Sequence, residues 1–276
     1  MKRTGLLVVG TLGVASFGLA LAVARGQDDP KAKAGAPDKA DAPSKKSEAS
    51  AAKAPDPSKA TLVGEPLAAG SVKRDGLYPL DAGRTWRYEL KTWLATSAAE
   101  EGAPEEAEAP RTHRMDVHVG EADKVEGKDV RCLEWKLDDA TAQKAFYLDE
   151  GTSIVCVRRV LGTGDHKHDF LFTPAQPVLK GDLAVGSKWT WEGSVGPTKG
   201  KQTFEVLREE KLKAAGQELS TIVVRMNYTG DDESTGVSVK WLAPGVGLVR
   251  EESEVKADQQ IYRTLAVLTK FDTGKK

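Results

Sequence analysis

The feature that most constrains the fold of this chain is an internal duplication that begins near residue 78. The two copies share a Leu, a Gly, a Trp and a final aromatic residue at their starts, and further apolar residues follow in register. The matching stretches are 80–88 with 183–191, 115–127 with 204–216, and 147–155 with 241–249. Because repeats dictate architecture, we expect two units of the same fold, at about residues 78–172 and 178–271.

Each unit consists of short alternating or β-branched runs that are separated by Gly, Pro and Asp, the pattern of an antiparallel all-β protein. Parallel pairing is not expected, because it needs crossover connections of a dozen or more residues. A twisted sheet of about a dozen strands tends to curl or close. The sequence therefore predicts an all-β, antiparallel fold in which the tandem pseudo-repeat, about six strands in each copy, forms one curved sheet, half-barrel or barrel. The candidate strands are 85–94, 111–119, 130–137, 142–148, 153–160 and 166–172, then 188–192, 202–208, 219–228, 237–242, 247–255 and 261–271.

The first 24 residues have the composition of an export signal. Lys2 and Arg3 precede a run without charge from residue 5 to residue 24, and Ala22-Val23-Ala24 has the small-x-small form of a signal-peptidase site. The uncharged run is also about long enough to span a bilayer, at roughly 20 residues. We therefore expect residues 1–24 to be a signal peptide or an N-terminal membrane anchor, and both readings place the remainder outside the cytoplasm, in the periplasm or another extracytoplasmic space.

Residues 25–72 are rich in Ala, Pro, Lys and Asp and contain no aromatic residue. Such a segment cannot bury enough apolar surface to offset its ordering entropy, so we expect a disordered tether before a β domain at 73–276. Its basic and acidic residues are interspersed, and the whole chain has a net charge of −1. This charge pattern contains no cluster of basic residues of the kind that binds nucleic acid, so we do not expect nucleic acid as a partner.

Two motifs near the ends of the β domain suggest a family. Tyr78-Pro79-Leu80 is followed by Gly83 and Trp86, and the chain later reads Trp-Leu-Ala-Pro-Gly-Val-Gly-Leu-Val at 241–249. This pair of motifs resembles exported bacterial β-rich proteins of unassigned function, which start Tyr-Phe-Pro-Leu-x-x-Gly-x-x-Trp-x-Tyr and carry Trp-x-Ala-Pro-Gly-Val-Gly-x-Val. The chain lacks their Phe after the first Tyr and a lipoprotein Cys. The resemblance implies a cell-envelope β protein and supplies no catalytic residue.

Four tryptophans are candidates for ligand binding: Trp86, Trp189, Trp191 and Trp241. Trp86 and Trp189 follow equivalent glycines at a strand start, where a large aromatic side chain commonly anchors the core. The alternative is that the pair forms an aromatic rim around a ligand. Both interpretations stay open at the level of sequence.

A cluster of histidines raises the hypothesis of a metal site. His166 and His168 alternate along one candidate strand, so both imidazoles would lie on one face, as two zinc ligands can; His118 is a candidate third ligand. The competing interpretation is a set of exposed polar residues after the turn at 162–164. The second copy has other residue types at the equivalent positions, so the fold does not require the cluster.

Cys132 and Cys156 are a candidate disulfide, because cysteines in an exported chain usually pair. In a simple meander their strands would flank the strand at 142–148, which puts them roughly 9.5 Å apart at two strand spacings. A disulfide needs Cα atoms closer than about 7 Å. The sequence therefore leaves two alternatives, a bridge in a more complex topology or two separate thiols.

No nucleophile elbow, phosphate-binding glycine loop or dinucleotide fingerprint is present, so we expect no cofactor and no catalytic residue. The leading functional hypothesis is a non-catalytic exported envelope protein that binds an apolar ligand, such as a lipid, or an envelope protein partner. The alternatives are a metal-dependent or carboxylate-based hydrolase, and a structural assembly module of the envelope.

Overall fold

The alternation of apolar and polar residues in the sequence becomes an alternation of buried and exposed side chains along paired strands. The computed structural model describes residues 54–96, 106–107, 109–162, 167–181 and 183–274. In β2, for example, Trp86, Tyr88 and Leu90 are buried, whereas Thr85, Arg87 and Glu89 are exposed. The described strands are β1 (Glu65–Leu67), β2 (Thr85–Thr96), β3 (Glu106–Ala107), β4 (Arg111–Val125), β5 (Lys128–Leu137), β6 (Ala140–Asp149), β7 (Ser153–Leu161), β8 (His168–Lys180), β9 (Lys188–Val195), β10 (Thr198–Ala214), β11 (Gln217–Gly230), β12 (Thr235–Ala243), β13 (Gly247–Ala257) and β14 (Gln260–Asp272).

Twelve of these strands, β2 and β4 to β14, form a closed antiparallel barrel in which each strand pairs with its neighbours in the chain. Closure comes from the pairing of the last strand, β14, with β2 over twelve residue pairs. The two short strands are additions: β1 pairs with β10, and β3 pairs with β2. The predicted all-β antiparallel fold is confirmed, and six of the barrel strands begin in each of the two predicted copies.

The two halves of the barrel share a bulge and an arginine that lies over an aromatic ring. The match between the two copies in the sequence places these features one residue out of register. At the β6–β7 pair a bulge occurs after Phe146, and Arg158 lies over the Phe146 ring at 5.1 Å. At the β12–β13 pair a bulge occurs after Trp241, and Arg250 lies over the Trp241 ring at 5.5 Å. The structural counterpart of Trp241 is therefore Phe146, and the sequence match of Trp241 to Tyr147 was wrong by one residue.

The N-terminal part of the described chain packs on the barrel. A short 3₁₀ helix at Pro57–Lys59 contacts β12 and β13, and the Arg208 guanidinium donates to the carbonyl oxygens of Ala60 and Thr61, both at 2.8 Å. The buried Glu209 carboxylate accepts hydrogen bonds from the N–H groups of Gly70 and Val72. The prediction of a disordered tether up to residue 72 is therefore wrong for residues 54–72. The earlier part of the predicted tether, and residues 1–24, lie outside the described residues.

Residues 72–84 cover one end of the barrel. Leu77 is 2% exposed, and the Tyr78 ring packs against the Tyr147 ring with centroids 5.1 Å apart. The N–H of Gly245, in the turn between β12 and β13, donates to the carbonyl of Gly76 at 2.9 Å. This segment, which contains the Tyr-Pro-Leu motif, therefore contacts both a turn at the end of the barrel and a side chain inside the barrel.

One joint of the barrel, between β8 and β9, is held mainly by side chains. Only two residue pairs, at Phe172 and Thr173, join these strands, whereas every other joint has at least seven. The Pro174 and Pro177 residues of β8 have no N–H to donate. Their carbonyls accept instead from the indole N–H groups of Trp191 at 2.9 Å and Trp189 at 3.3 Å. We call this joint the β8–β9 seam.

A substitution at Gly193 tests the close contact at the seam. A Cβ atom at this position would lie 2.6 Å from the Thr173 carbonyl oxygen and 2.7 Å from the Trp191 ring, so Gly193→Ala forces the strands apart. We expect a loss of about 1–3 kcal/mol in the free energy of unfolding, the usual cost of overpacking. The control is Gly120→Ala, whose Cβ would meet its nearest atom at 3.6 Å. Chemical denaturation measures both variants, and equal stability of the two would contradict a tight seam.

Candidate luminal site

The barrel interior contains a cavity whose walls come from opposite sides of the sheet. Tyr88 of β2 and Trp135 of β5 face Leu242 of β12 and Leu248 of β13 across it. Because residues paired across neighbouring strands share a face, these positions define the luminal face of each strand. The cavity lining is Tyr78, Pro79, Trp86, Tyr88, Val117, Leu133, Trp135, Lys240, Leu242, Gly247 and Leu248.

The cavity is small. Its volume is about 40 Å³, which compares with the 10–15 Å³ or so that a single water needs on the same measure. The surrounding side chains fill the remainder of this part of the lumen, and Trp86, Tyr88 and Trp135 are each at most 6% exposed. A ligand of a few heavy atoms, or the end of a longer one, fits this space, whereas a whole lipid does not.

Lys240 is the one basic residue in the cavity lining, and it belongs to a charged cluster in the lumen. Its Nζ lies 3.8 Å from Oε1 of Glu251, its register partner on β13. The same Glu251 oxygen accepts a hydrogen bond from the Ser238 hydroxyl at 2.8 Å. Arg159 is on the luminal face as well, since it pairs with Ala145, which pairs with the cavity residue Leu133.

Burial controls the ionisation of this cluster. Glu251 is fully buried, and the cost of placing its charge away from water raises the pKa of the carboxyl group above its usual value. Lys240, the Ser238 hydroxyl and Arg159 each act in the opposite direction and offset only part of that effect. The cluster therefore contains two basic side chains and one carboxyl group that ionises reluctantly.

Several buried polar atoms of the lumen make no hydrogen bond within the described protein. They are Nε of Arg159, Oε2 of Glu251, Oε1 of Gln176 and both amide atoms of Gln143. These four side chains are at most 4% exposed. An unpaired buried polar atom is costly, and ordered water is the usual partner of such atoms in protein interiors.

This cluster was not predicted from the sequence. In the run Val-Ser-Val-Lys-Trp-Leu of β12, Lys240 lies between Val239 and Trp241, which are both fully buried on the other face. A single Lys in a strand that is apolar on both sides is a signal of a buried charge. Arg159 within Val-Arg-Arg-Val and Glu251 within Val-Arg-Glu-Glu offer no such signal, because a neighbouring charge obscures which residue points inward.

The four candidate tryptophans are all core residues with hydrogen-bonded indole N–H groups. Each is at most 7% exposed. Trp86 donates to the Val246 carbonyl at 2.6 Å, Trp189 and Trp191 donate across the β8–β9 seam, and Trp241 donates to Glu210. Trp86 alone of the four also lines the luminal cavity. Trp241 lies on the outer face, beneath the N-terminal segment.

The structure does not bring the candidate metal ligands together. His118 is exposed on the outer face of β4, next to the luminal Val117. His168 lies on the luminal side, where it pairs with Leu161 and stacks on Phe170 with ring centroids 6.1 Å apart. His166 lies outside the described residues. Among the residues that are described, no group of three or more His, Cys, Asp or Glu side chains forms a metal-binding arrangement.

The candidate disulfide is absent, and both cysteines are free. Cys132 pairs with Phe146 and Cys156 pairs with Tyr147, and these two residues are neighbours on β6. Because successive side chains of a strand point to opposite faces, the two sulfurs lie on opposite sides of the sheet with a strand between them. The bridged alternative was therefore wrong. Burial raises the pKa of the Cys132 thiol to about 11, and burial also raises the pKa of Cys156.

Comparison with known proteins finds solved structures of low similarity. No protein-family model matches the chain, and no curated protein matches it. A solved structure of a candidate lipoprotein from Parabacteroides distasonis is 11% identical, with a TM-score of 0.38 over 72% of this chain and 100% of the other. A candidate exported protein with a YmcC-like fold from Bacteroides fragilis is 12% identical, with a TM-score of 0.33 over 71% and 98%. The hypothetical lipoprotein YmcC from Escherichia coli is 13% identical, with a TM-score of 0.29 over 66% and 87%. At these values the similarities do not bear on function.

Within the part of the chain that the structure describes, no helix has the length and apolar character required to cross a membrane.

Proposed function

We propose that this protein is an exported, non-catalytic binding protein of the cell envelope whose barrel holds a small apolar ligand, or the apolar end of a larger one, in its lumen. The observation that carries the proposal is the cavity between Tyr88, Trp135, Leu242 and Leu248. It is a concave, mainly apolar space whose lining includes one charged group, Lys240, a combination found in small-molecule sites.

Export is supported by the sequence. Two basic residues, a run of twenty residues without charge and a small-x-small site open the chain. Residues 25–53, which are rich in Ala, Pro and Lys, would then act as a spacer between a membrane or a cleavage site and the barrel. The two free cysteines do not conflict with this location, because their positions on opposite faces prevent a bridge within one chain.

The other two functional hypotheses have less support. Assembly by strand addition needs an unpaired sheet edge. Closure of the barrel pairs most edges of the described strands, which leaves the β8–β9 seam and the outer edges of the short strands β1 and β3. The hydrolase hypothesis uses His166 and His168 with acidic residues from other strands, and His166 lies outside the described residues. The candidate third metal ligand, His118, lies on the opposite face of the sheet from His168, so the described histidines give this hypothesis no support. If the cavity binds no small molecule, binding of a protein partner remains the alternative function.

Titration with n-alcohols from ethanol to hexanol tests the proposal. We expect saturable binding to the full-length protein purified from an exporting host, detected by amide shifts in NMR and by a rise in Tm. Val117→Phe fills the cavity and should weaken binding about tenfold or more, since each buried CH₂ contributes about 0.8 kcal/mol. The matched control is Val185→Phe, at an exposed position. Absence of saturable binding in the wild-type protein would contradict the proposal and favour a protein partner.

A further inference from the structure

A second and larger cavity lies at the end of the barrel that residues 72–84 cover. It is bounded by residues 74–81 of this covering segment, the β6–β7 turn, the end of β8 and Gly245 in the β12–β13 turn, and we call it the end cleft. Its volume is about 400 Å³, whereas the luminal cavity has about 40 Å³ on the same measure. Sites for small molecules commonly have volumes of several hundred Å³. The end cleft is therefore large enough to hold a part of a ligand that the luminal cavity cannot.

The end cleft and the luminal cavity are neighbours that share a wall. Tyr78 and Pro79 line both spaces, so at this point the thickness of one residue separates them. Beside them, Gly245 lines the end cleft and Gly247 lines the luminal cavity. A Cβ atom on Gly247 would lie 3.1 Å from Cδ of Pro79, so a glycine here lets the two parts of the wall meet closely. A ligand that passes this wall would occupy both spaces at once.

The wall can be displaced without loss of the hydrogen bonds that fix the covering segment to the β12–β13 turn. The N–H of Gly245 donates to the carbonyl of Gly76 at 2.9 Å, and the Arg84 guanidinium donates to the carbonyl of Gly245 at 2.8 Å. These two contacts lie on either side of Tyr78 and Pro79 in the chain, and Pro79 has no N–H to donate. A movement of the Tyr78–Pro79 pair therefore leaves both contacts in place.

The end cleft differs from the luminal cavity in its chemistry, because its lining carries charges of both signs. Three acidic and three basic residues line it: Asp75, Asp81, Asp149, Arg74, Arg84 and Lys180. An ion pair of 2.7 Å joins Arg84 to Asp81, and one of 2.6 Å joins Arg74 to the buried Glu209. Such a mixed lining does not favour a ligand group of one charge. A hydroxyl group suits it, because a hydroxyl donates to carboxylates and accepts from ammonium groups.

We infer that the ligand class of this protein is an amphiphile with an uncharged, hydroxyl-bearing head, which occupies the end cleft while its apolar end reaches the luminal cavity past Tyr78 and Pro79. This inference rests on the proposed function, since it assigns the remainder of the ligand whose apolar end the lumen holds. The luminal cavity alone has room for a few heavy atoms, and the end cleft supplies both the volume and the polar partners for the head. Apolar walls combined with a few polar groups are typical of small-molecule sites.

Four ligands with the same hexyl chain test the inference: hexyl β-glucoside, 1-hexanol, hexanoate and hexylammonium, each titrated at neutral pH into the full-length wild-type protein by NMR. We expect the glucoside to bind about tenfold more tightly than 1-hexanol, as about two additional hydrogen bonds would give, and more tightly than either charged ligand. The amide signals of Gly151 and Gly181, which line the end cleft, should shift with the glucoside and not with 1-hexanol. Equal affinity for these two ligands, or tighter binding of a charged one, would overturn the inference and leave the proposed function intact. Failure of all four to bind would overturn both.

Two variants test the two parts of the site separately. Thr152→Trp fills the end cleft from an exposed position, so the glucoside should lose its advantage over 1-hexanol, whose own affinity should not change. Val117→Phe fills the luminal cavity and should weaken binding of both ligands. The matched control is Thr229→Trp, at an exposed position on β11. A glucoside advantage that persists in Thr152→Trp, or an unchanged glucoside affinity in Val117→Phe, would contradict the inference. Should a variant fail to fold, the ligand preference and the glycine shifts of the wild-type protein decide.

Discussion

Replacing Trp241 by Ala is expected to lower the free energy of unfolding by about 3–5 kcal/mol, the range measured for large aromatic side chains in protein cores. Trp241 is fully buried on the outer face of β12, beneath the N-terminal segment. Its loss leaves a cavity there and removes the indole N–H that donates to Glu210, a carboxylate that is itself fully buried. Glu210 would keep the Arg208 ion pair at 3.1 Å on its other oxygen.

The matched comparison is Phe146→Ala, at the structurally equivalent position in the first half. Phe146 has the same bulge and an arginine over its ring, but it belongs to a small cluster of six buried residues and donates no hydrogen bond. We therefore expect a smaller loss for Phe146→Ala than for Trp241→Ala in chemical denaturation. Equal losses would mean that neither packing in the main core nor the hydrogen bond to Glu210 increases the contribution of Trp241 to the free energy of unfolding.

Replacing Glu251 by Gln is expected to flatten the pH dependence of stability. The folded-state pKa of Glu251 lies above the usual value of 4.5, so at pH values between the two the folded protein binds more protons than the unfolded chain. The stability contributed by this group is present below the unfolded pKa and is lost as the pH rises through the folded pKa. Each pKa unit of difference corresponds to about 1.4 kcal/mol.

The measurement is the free energy of unfolding of both proteins from pH 4.5 to pH 8. We expect the wild-type value, relative to that of Glu251→Gln, to fall as the pH rises. Glu254→Gln is the control, because this carboxylate is bound by Arg263 at 2.7 Å on another face of β13. Parallel curves for wild type and Glu251→Gln would refute a raised pKa.

The fold was largely predictable because it depends on periodic patterns. The alternation of apolar and polar residues, as in β2, and the duplicated Gly and Trp residues are visible within short stretches of the chain. Together they predict six strands in each copy. The pairing of β14 with β2 is a contact between the two ends of the barrel, and no local pattern specifies it. The docking of residues 54–72 was missed for another reason: it depends on carboxylate and guanidinium contacts to main-chain atoms, which a low apolar content does not reveal.

The candidate site was less predictable because residue type alone does not show whether a side chain packs in the core or lines the lumen. Aromatic residues such as Trp189 attract a ligand hypothesis, yet their large area makes them good core residues, and the structure uses them in packing and at the seam. Lys240 attracts none, because most lysines lie at the surface. The one-residue bulges at Val157 and Val249 decide which neighbour on each strand turns inward, and neither bulge has a sequence signature.

The pairing of β14 with β2 sets the order in which this chain can reach its native state. As synthesis proceeds from the N-terminus, β2 gains one neighbour early but meets the other only when residues 260–272 are available. Until then both β2 and β13 present an open edge, the kind of surface that pairs with other chains. Contacts so distant in sequence also form slowly. A chain that ends before residue 260 should therefore aggregate rather than form a smaller barrel, and any factor that delays folding until the whole chain is present would favour the correct closure.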